Sequence, residues 1–409
     1  MRRSGALLAL LTLASACGPA ETAEERAARV HREALVLDTH ADTTPRFQDP
    51  EYDFSARHPK SEGSVDLPRA REGGLDAQFW SIYVGKVEGD GRAVREALER
   101  IDAVYELERR HPDQIAIATD VAGIRRGAAS GKLVSLLGLE GGHMIEGRLA
   151  LLRDFYRLGV RYMTLTHSFH LPWADSAGTG EPLPMGIGGL DEFGESVVRE
   201  MNRLGMMVDV SHVSDETFRD VLAVTEAPVI ASHSSCRSVF AHPRNLDDEM
   251  LRALAANRGV VMINFYPGYT DPDAAPLIRA WFARHGPELA RLRETHKGDL
   301  RPLLEAMRVM AAADPVPKGS LARLLDHFDH ALRVAGEDHV GLGSDFDGVP
   351  SMPEELDEVS ELPNLTRGLL ERGWSEAVVR KVLGENLLRV MGEVEAVRDR
   401  LASPAAQRQ

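Results

Sequence analysis

The sequence has almost no cysteine. Cys17 and Cys236 are the only two in 409 residues. That excludes a disulfide framework and a metal site built from several thiolates, so any metal must be held by histidine and carboxylate. Positive charge is also short: 48 Lys and Arg stand against 63 Asp and Glu, for a formal net charge of −15. This balance argues against a nucleic-acid partner and against an anionic membrane face. Long apolar runs are missing too. The run at residues 6–13 is too short to span a bilayer as a mature helix. No internal repeat, low-complexity tract or composition break calls for a second domain.

What is there begins with a targeting segment. Arg2 and Arg3 precede the apolar run and Ala14-Ser15-Ala16-Cys17 follows it, so residues 1–17 read as a signal peptide. Cys17, directly after the small residues, is read as a lipidated first residue, which makes the protein periplasmic and membrane-anchored through that lipid alone. The same residues fit ordinary secretion, and either reading exports the chain. Residues 18–26 then form a tether, 27–400 a single catalytic domain with a charged helical insertion at 271–317, and 401–409 a tail.

Eight short apolar stretches predict buried strands at 35–42, 75–84, 133–139, 161–166, 206–210, 228–232, 260–265 and 340–343. Residues 115–118 read as a short edge strand, and 43–68 and 168–189 as long loops. Helical spacing fills most of the remainder. Examples are 27–33, 92–110, 191–204, 247–257 with Gly259 as its stop, 321–335 and 375–397. Strands alternating with helices predict an α/β fold, a TIM-like (β/α)8 barrel.

In such a barrel every strand opens its C-terminal end on the same face, where active sites sit. The ionisable residues at those ends are His40 and Asp42, Glu140, His167, His212, His233 and Asp345, from six different strands. One strand ending in histidine is ordinary; six ending in ligand or acid–base residues are hard to explain as core filling. The set exceeds the needs of one four-coordinate ion and suits two metals sharing a carboxylate. Glu140, followed by Gly141 and Gly142, is the natural bridge.

The motifs LDTHAD (37–42), LEGGH (139–143), RYMTLTHS (161–168) with PWADS (172–176), VREMNRLGMMVDVSHVS (198–214), SHSS (232–235), HPRN (242–245) and GLGSDFDG (341–348) stand in this order. With them the chain resembles the membrane (renal) dipeptidase family, the M19 peptidases. The resemblance implies a metal-dependent barrel of the amidohydrolase type, holding two zinc ions and hydrolysing dipeptides through a hydroxide shared by the metals. It implies that His40 and Asp42 bind one zinc, His212 and His233 the other, and that Glu140 bridges them. By the same resemblance His167 touches substrate and steadies the oxyanion, Arg244 binds the substrate carboxylate, and Asp345 is the acid–base residue. Tolerance of a C-terminal D-residue and a homodimer are further expectations from the family.

Tyr266, at the end of the seventh strand, is a candidate substrate contact. His143, Asp38 and Asp209 read as supports behind the ligands, and His170 and Asp175 as loop residues able to line the site. Asp347 reads as structural, Cys236 as a buried small residue, and His31 and His327 as surface or helix-terminal histidines. The alternative within the same chemistry is a metal-dependent hydrolase of N-acyl amino acids, lactones or β-lactams. A tethered, non-catalytic binding protein is the alternative of a different class. It would be signalled by a missing ligand or acid–base residue, and every one of those positions is filled.

Overall fold

The computed structural model describes residues 21–86, 91–180, 183–296 and 300–403. The proposed signal peptide, the start of the tether and the end of the tail lie outside them. Eight short segments, each buried on both faces, form the barrel: β1 Leu37–Ala41, β2 Ala77–Tyr83, β3 Leu133–Glu140, β4 Val160–Thr164, β5 Met207–Asp209, β6 Ile230–Ser234, β7 Val260–Ile263 and β8 Val340–Leu342. All pair in parallel with their neighbours in chain order, and β8 pairs back to β1, so the sheet closes. The edge strand is real: Ile115–Ile117 pairs with the start of β3, on the flank that β4 occupies from Leu137 onward.

Register carries the site. Tyr83 pairs with Glu140, Glu140 with Thr164, and Thr164 with Asp209. The ends of β2 to β5 therefore stand level around the mouth. Inside the barrel, Tyr162 reaches from β4 across to β1 through space that Gly138 leaves open; a Cβ at Gly138 would collide with the Tyr162 ring.

The connections depart from the sequence reading in places. The first helix begins at Ala23, inside the expected tether, because Thr22 and Glu25 form a capping box. The 43–68 stretch is not wholly loop. Thr44–Phe47 is a helical turn opened by Pro45, and Asp66 caps a helix at Leu67–Glu72. The insertion is a pair of helices, Ala274–His296 and Leu300–Ala313. Ile278, Trp281, Leu289 and Leu303 of this pair pack in one apolar cluster with Tyr266. Among the described residues no helix is long and apolar enough to cross a membrane.

Two histidines read as surface or helix-terminal are buried, although His31 does lie in the last turn of its helix. The His31 ring joins Thr366 Oγ1 (2.7 Å) to the Gly73 carbonyl (2.8 Å). His327 Nδ1 accepts the Cys236 backbone N–H and Nε2 donates to the Thr270 carbonyl, each at 3.0 Å. Each joins two chain segments, His31 a hydroxyl to a backbone carbonyl and His327 a backbone N–H to a backbone carbonyl. Cys236 is buried as expected, and burial pushes its thiol up, away from the reactive thiolate.

Arg69 is fully buried and ties the loops beside the mouth together. It donates to Asp66 Oδ2 (2.7 Å) and to Glu358 Oε2 (2.9 Å). Replacing it with methionine removes the nearest cation from two buried carboxylates. The expected cost is about 3–5 kcal/mol of unfolding free energy, measured by urea titration.

Candidate metal centre

Seven side chains from six strand ends converge as the pattern of endings predicts. His40 is the fourth residue of β1 and Asp42 follows the strand. Glu140 ends β3, His167 and His212 lie three residues beyond β4 and β5, His233 is on β6, and Asp345 lies three residues beyond β8. Their ligand atoms fall into three overlapping groups: His40, Glu140 and His233; Glu140, His167 and His212; and His40, Asp42 and Asp345. Within each, one ligand atom per residue lies within 4.8 Å of the others. His212 and Asp345 both have φ of 67°, a left-handed conformation uncommon for such residues. The backbone strain accompanies a turn of each side chain into the mouth.

Glu140 stands between two sets of partners. Its Oε1 lies 3.2 Å from His212 Nε2 and 3.5 Å from the Nε2 atoms of His233 and His167. Its Oε2 lies 3.4 Å from His40 Nε2 and accepts from Ser81 Oγ at 2.9 Å. His40 Nε2 lies also 3.3 Å from Asp42 Oδ2, yet it is buried without a hydrogen-bond partner among the described residues. His212 and His233 meet Nε2 to Nε2 at 2.8 Å. The Gly-Gly turn is dictated by crowding as well as conformation. Gly141 has φ of 120°, and a Cβ there would sit 2.6 Å from the His143 ring; one on Gly142 would sit 2.6 Å from Trp173.

The surrounding bonds set the tautomers. The Tyr162 hydroxyl donates to the Thr39 carbonyl (3.1 Å), so toward His40 Nδ1 (3.0 Å) it accepts. In the neutral ring the His40 proton is thereby placed on Nδ1, which leaves Nε2 to face the cluster as a ligand atom. Ser232 Oγ donates to Asp209 Oδ2 (2.6 Å) and accepts from His233 Nδ1 (2.8 Å), with the same result for His233. Asp209 also receives the Ser211 and Ser232 backbone N–H groups, and Asp38 receives the backbone N–H and hydroxyl of Ser344. Both lie behind the candidate ligands, Asp209 through Ser232 and Asp38 through Ser344.

Electrostatics favours the ligand forms. Burial, then the Arg244 guanidinium, holds His212 well below the usual histidine range; burial, then His40, does the same to His233. Burial opposes the Glu140 charge, but His40, His167 and His212 outweigh it and hold the carboxyl well below the usual carboxylate range. Two neutral imidazoles, His212 and His233, beside an ionised carboxylate fit a divalent metal; burial opposes the His40 charge, but Tyr162, Glu140 and Asp42 hold that ring well above the usual histidine range, so it would release its Nε2 proton on binding an ion. Asp345 differs. Burial, then Asp42 and Glu140, push it up to about 7 against the pull of His40.

The wider site follows. Arg244 is buried, donates to the His233 carbonyl (3.1 Å), lies 5.6 Å from the Tyr269 ring centre, and keeps Nε without a partner among the described residues. His167 is the more open imidazole, between the rings of His212 (4.2 Å) and Tyr83 (4.4 Å). Tyr266 is not in the ligand groups; its ring meets Tyr269 edge-on at 4.8 Å within the insertion's apolar cluster. His143 bonds to the Val84 carbonyl (3.0 Å), not to a ligand, and Asp347 holds Thr43 Oγ1 and the Ser64 N–H, each at 2.7 Å. Asp175 gathers the backbone N–H groups of Ile187, Gly188 and Gly189 and so shapes the 168–189 loop, with His170 3.2 Å away.

The membrane dipeptidase family, peptidase family M19, matches residues 24–405. The chain belongs to this family. It is 39% identical over 356 residues to the dipeptidase aclJ of Aspergillus oryzae, covering 84% of this chain and 73% of that one. Among solved structures, the probable dipeptidase PvdM of Pseudomonas aeruginosa superposes with a TM-score of 0.78 at 26% identity, over 92% of this chain and 99% of that one. A metallo peptidase of Rhodobacter sphaeroides, solved with a phosphinate mimic of the dipeptide L-Ala-D-Ala, gives 0.72 at 25% identity, over 88% and 99%.

For this M19 member, sequence reasoning missed Ser81, Tyr162, Asn264 and Tyr269, which hold the candidate residues in place. Tyr162 offers a direct test. Tyr162→Phe frees the His40 Nδ1 proton from its acceptor, and metal affinity should fall about 10- to 100-fold. The readout is activity in metal-buffered solutions; unchanged affinity would show that His40 needs no partner there.

Proposed function

We propose that the chain is a binuclear zinc dipeptidase that hydrolyses the peptide bond of small dipeptides and accepts a D-residue at the C-terminal position. The observation that carries this reading is the division of Glu140, with Oε1 toward His212 and His233 and Oε2 toward His40. A carboxylate so placed suits sharing between two ions, one held with His40 and Asp42 and one with His212 and His233. Imidazole donors without thiolate favour zinc over magnesium or calcium. When bound, such a pair lowers the pKa of a shared water and polarises a carbonyl.

The chain's own groups supply the rest. The free side of the Arg244 guanidinium pairs with the substrate's terminal carboxylate. His167 donates to the carbonyl oxygen as charge develops on it. Asp345, whose Oδ1 lies on the side of Asp42, takes the proton of the attacking water and returns it to the leaving amine. Tyr266, whose backbone N–H is bonded to the same Asn264 side chain that holds Asp345, is a further candidate substrate contact. Acceptance of a D-residue is supported by the Rhodobacter sphaeroides relative, whose bound mimic is of L-Ala-D-Ala.

The test is hydrolysis of a dipeptide panel, including L-Ala-D-Ala and L-Ala-L-Ala, by zinc-loaded protein lacking residues 1–17. Cleavage of both, abolished by a chelator and restored by zinc, is the expected outcome. Because Arg244 asks for a carboxylate and not an amine, a folded, zinc-replete protein inert on dipeptides but active on N-acyl amino acids, lactones or β-lactams would replace the dipeptidase reading.

A further inference from the structure

We infer that Asn264 is a positioning residue. It fixes the rotation of the Asp345 carboxylate, so that Oδ2 is held by the protein and Oδ1 is presented to the metal centre and the substrate. The inference rests on the acid–base reading of Asp345 given above.

A carboxylate at the end of an sp³–sp² torsion turns through a broad, roughly two-fold well, so an aspartate that must address one atom needs an external restraint. Asn264 follows β7 directly and is fully buried. Its backbone is tied to the neighbouring strand exit: its N–H donates to the Ser234 carbonyl (3.1 Å), and its carbonyl accepts from Ser235 Oγ (3.2 Å). Its side chain makes two bonds. Oδ1 accepts the Tyr266 backbone N–H at 2.6 Å, and Nδ2 donates to Asp345 Oδ2 at 2.9 Å.

These two bonds decide each other. A flipped amide would set its NH2 against the Tyr266 N–H and its oxygen against the carboxylate, replacing two bonds with two buried repulsions. Nδ2 is therefore committed to Asp345. The other oxygen, Oδ1, lies on the side of Asp42. A Cβ on Gly348 would collide with Asp42 Oδ2 and Asp345 Oδ1 together, so only a glycine fits between them. Asp345 is anchored from below as well, its backbone N–H donating to the His40 carbonyl (3.1 Å). With Oδ2 engaged, Oδ1 is the oxygen left to reach a reacting atom. The Asn264 side-chain bonds reach Asp345 and the Tyr266 backbone and none of the five proposed zinc ligands, which separates its role from that of Tyr162 or Ser81.

The simple structural alternative is that Asn264 only shapes the turn to Tyr266. Asn264→Asp separates the two, since it keeps an acceptor for the Tyr266 N–H and replaces the fixed amide donor to Asp345 with a carboxyl group that repels Asp345 or shares a proton with it. The expected result with zinc-loaded full-length protein is a fall in kcat of about 10- to 100-fold, with KM and zinc content unchanged. In the Asp345→Asn background the same substitution is expected to cost nothing further, because donor and acceptor are then paired in reverse order. If Asn264→Asp folds poorly, Asn264→Ala is read in the same cycle. Wild-type kcat in the single variant, or equal losses in both backgrounds, would overturn the inference. Full activity of Asp345→Asn would be a separate result, overturning the acid–base reading on which it rests.

Discussion

Glu140→Gln is expected to leave one metal ion per chain and to lower dipeptidase activity by more than the roughly 10–100-fold typical of changes behind a ligand. Glutamine keeps the size of the side chain but has only one oxygen able to bind a cation. The oxygen faces one side only, either His40 and Asp42 or His212 and His233, and the NH2 group faces the other. An NH2 group cannot serve as a ligand, so the ion on that side is lost. Elemental analysis after dialysis measures the stoichiometry. Two ions per chain with near-normal activity would remove Glu140 from the bridging position.

Glu140 was legible in the sequence because of where it stands. Parallel strands covered on both faces read as unbroken apolar runs, so a charged residue at the end of LVSLLGL is conspicuous. The same contrast exposed His40, His167, His212, His233 and Asp345. Short helices without strong apolar spacing were less visible. Val121–Ala129 contains Gly123 and Gly127, which weaken a helical signal, yet a Cβ at Gly127 would lie 2.5 Å from Val134. Gly259 misleads in the opposite way. It reads as a helix stop, but the left-handed residue is Arg258 (φ 68°); Gly259 is glycine because a Cβ would meet the Val229 carbonyl at 2.5 Å.

The residues that orient the ligands were hidden for a different reason. Tyr162 reads as one more aromatic in a buried strand, and only barrel closure brings its hydroxyl to His40 on the far side. Ser81 matters because β2 lies beside β3 in register. Asn264 alone left a trace, as an amide directly after the apolar run Val260–Ile263. A strand ending marks a candidate ligand locally, whereas a supporting bond depends on which strands become neighbours.

Asp345→Asn separates the two chemical readings that the geometry of this carboxylate admits. Asp345 forms a ligand-like group with His40 and Asp42. It also accepts from Asn264 at 2.9 Å, and burial and the neighbouring carboxylates push it up to about 7. A ligand would lose its ion on substitution; an acid–base group would lose its chemistry and leave the ions in place. The acid–base outcome is expected. Asn264 forces the new amide to turn its oxygen toward Nδ2, so the substituted NH2 occupies the Oδ1 position beside Asp42. That group cannot accept a proton from water or return one to an amine. The expected fall in kcat is about 10²–10⁴-fold, with the metal content retained and KM within a few-fold, since the proposed substrate contacts, Arg244 and His167, are unchanged. Steady-state kinetics with elemental analysis on the same preparation gives both readouts. Loss of one ion in step with activity would make Asp345 a ligand, and the proton would then have to travel through His167, the more open imidazole at the mouth.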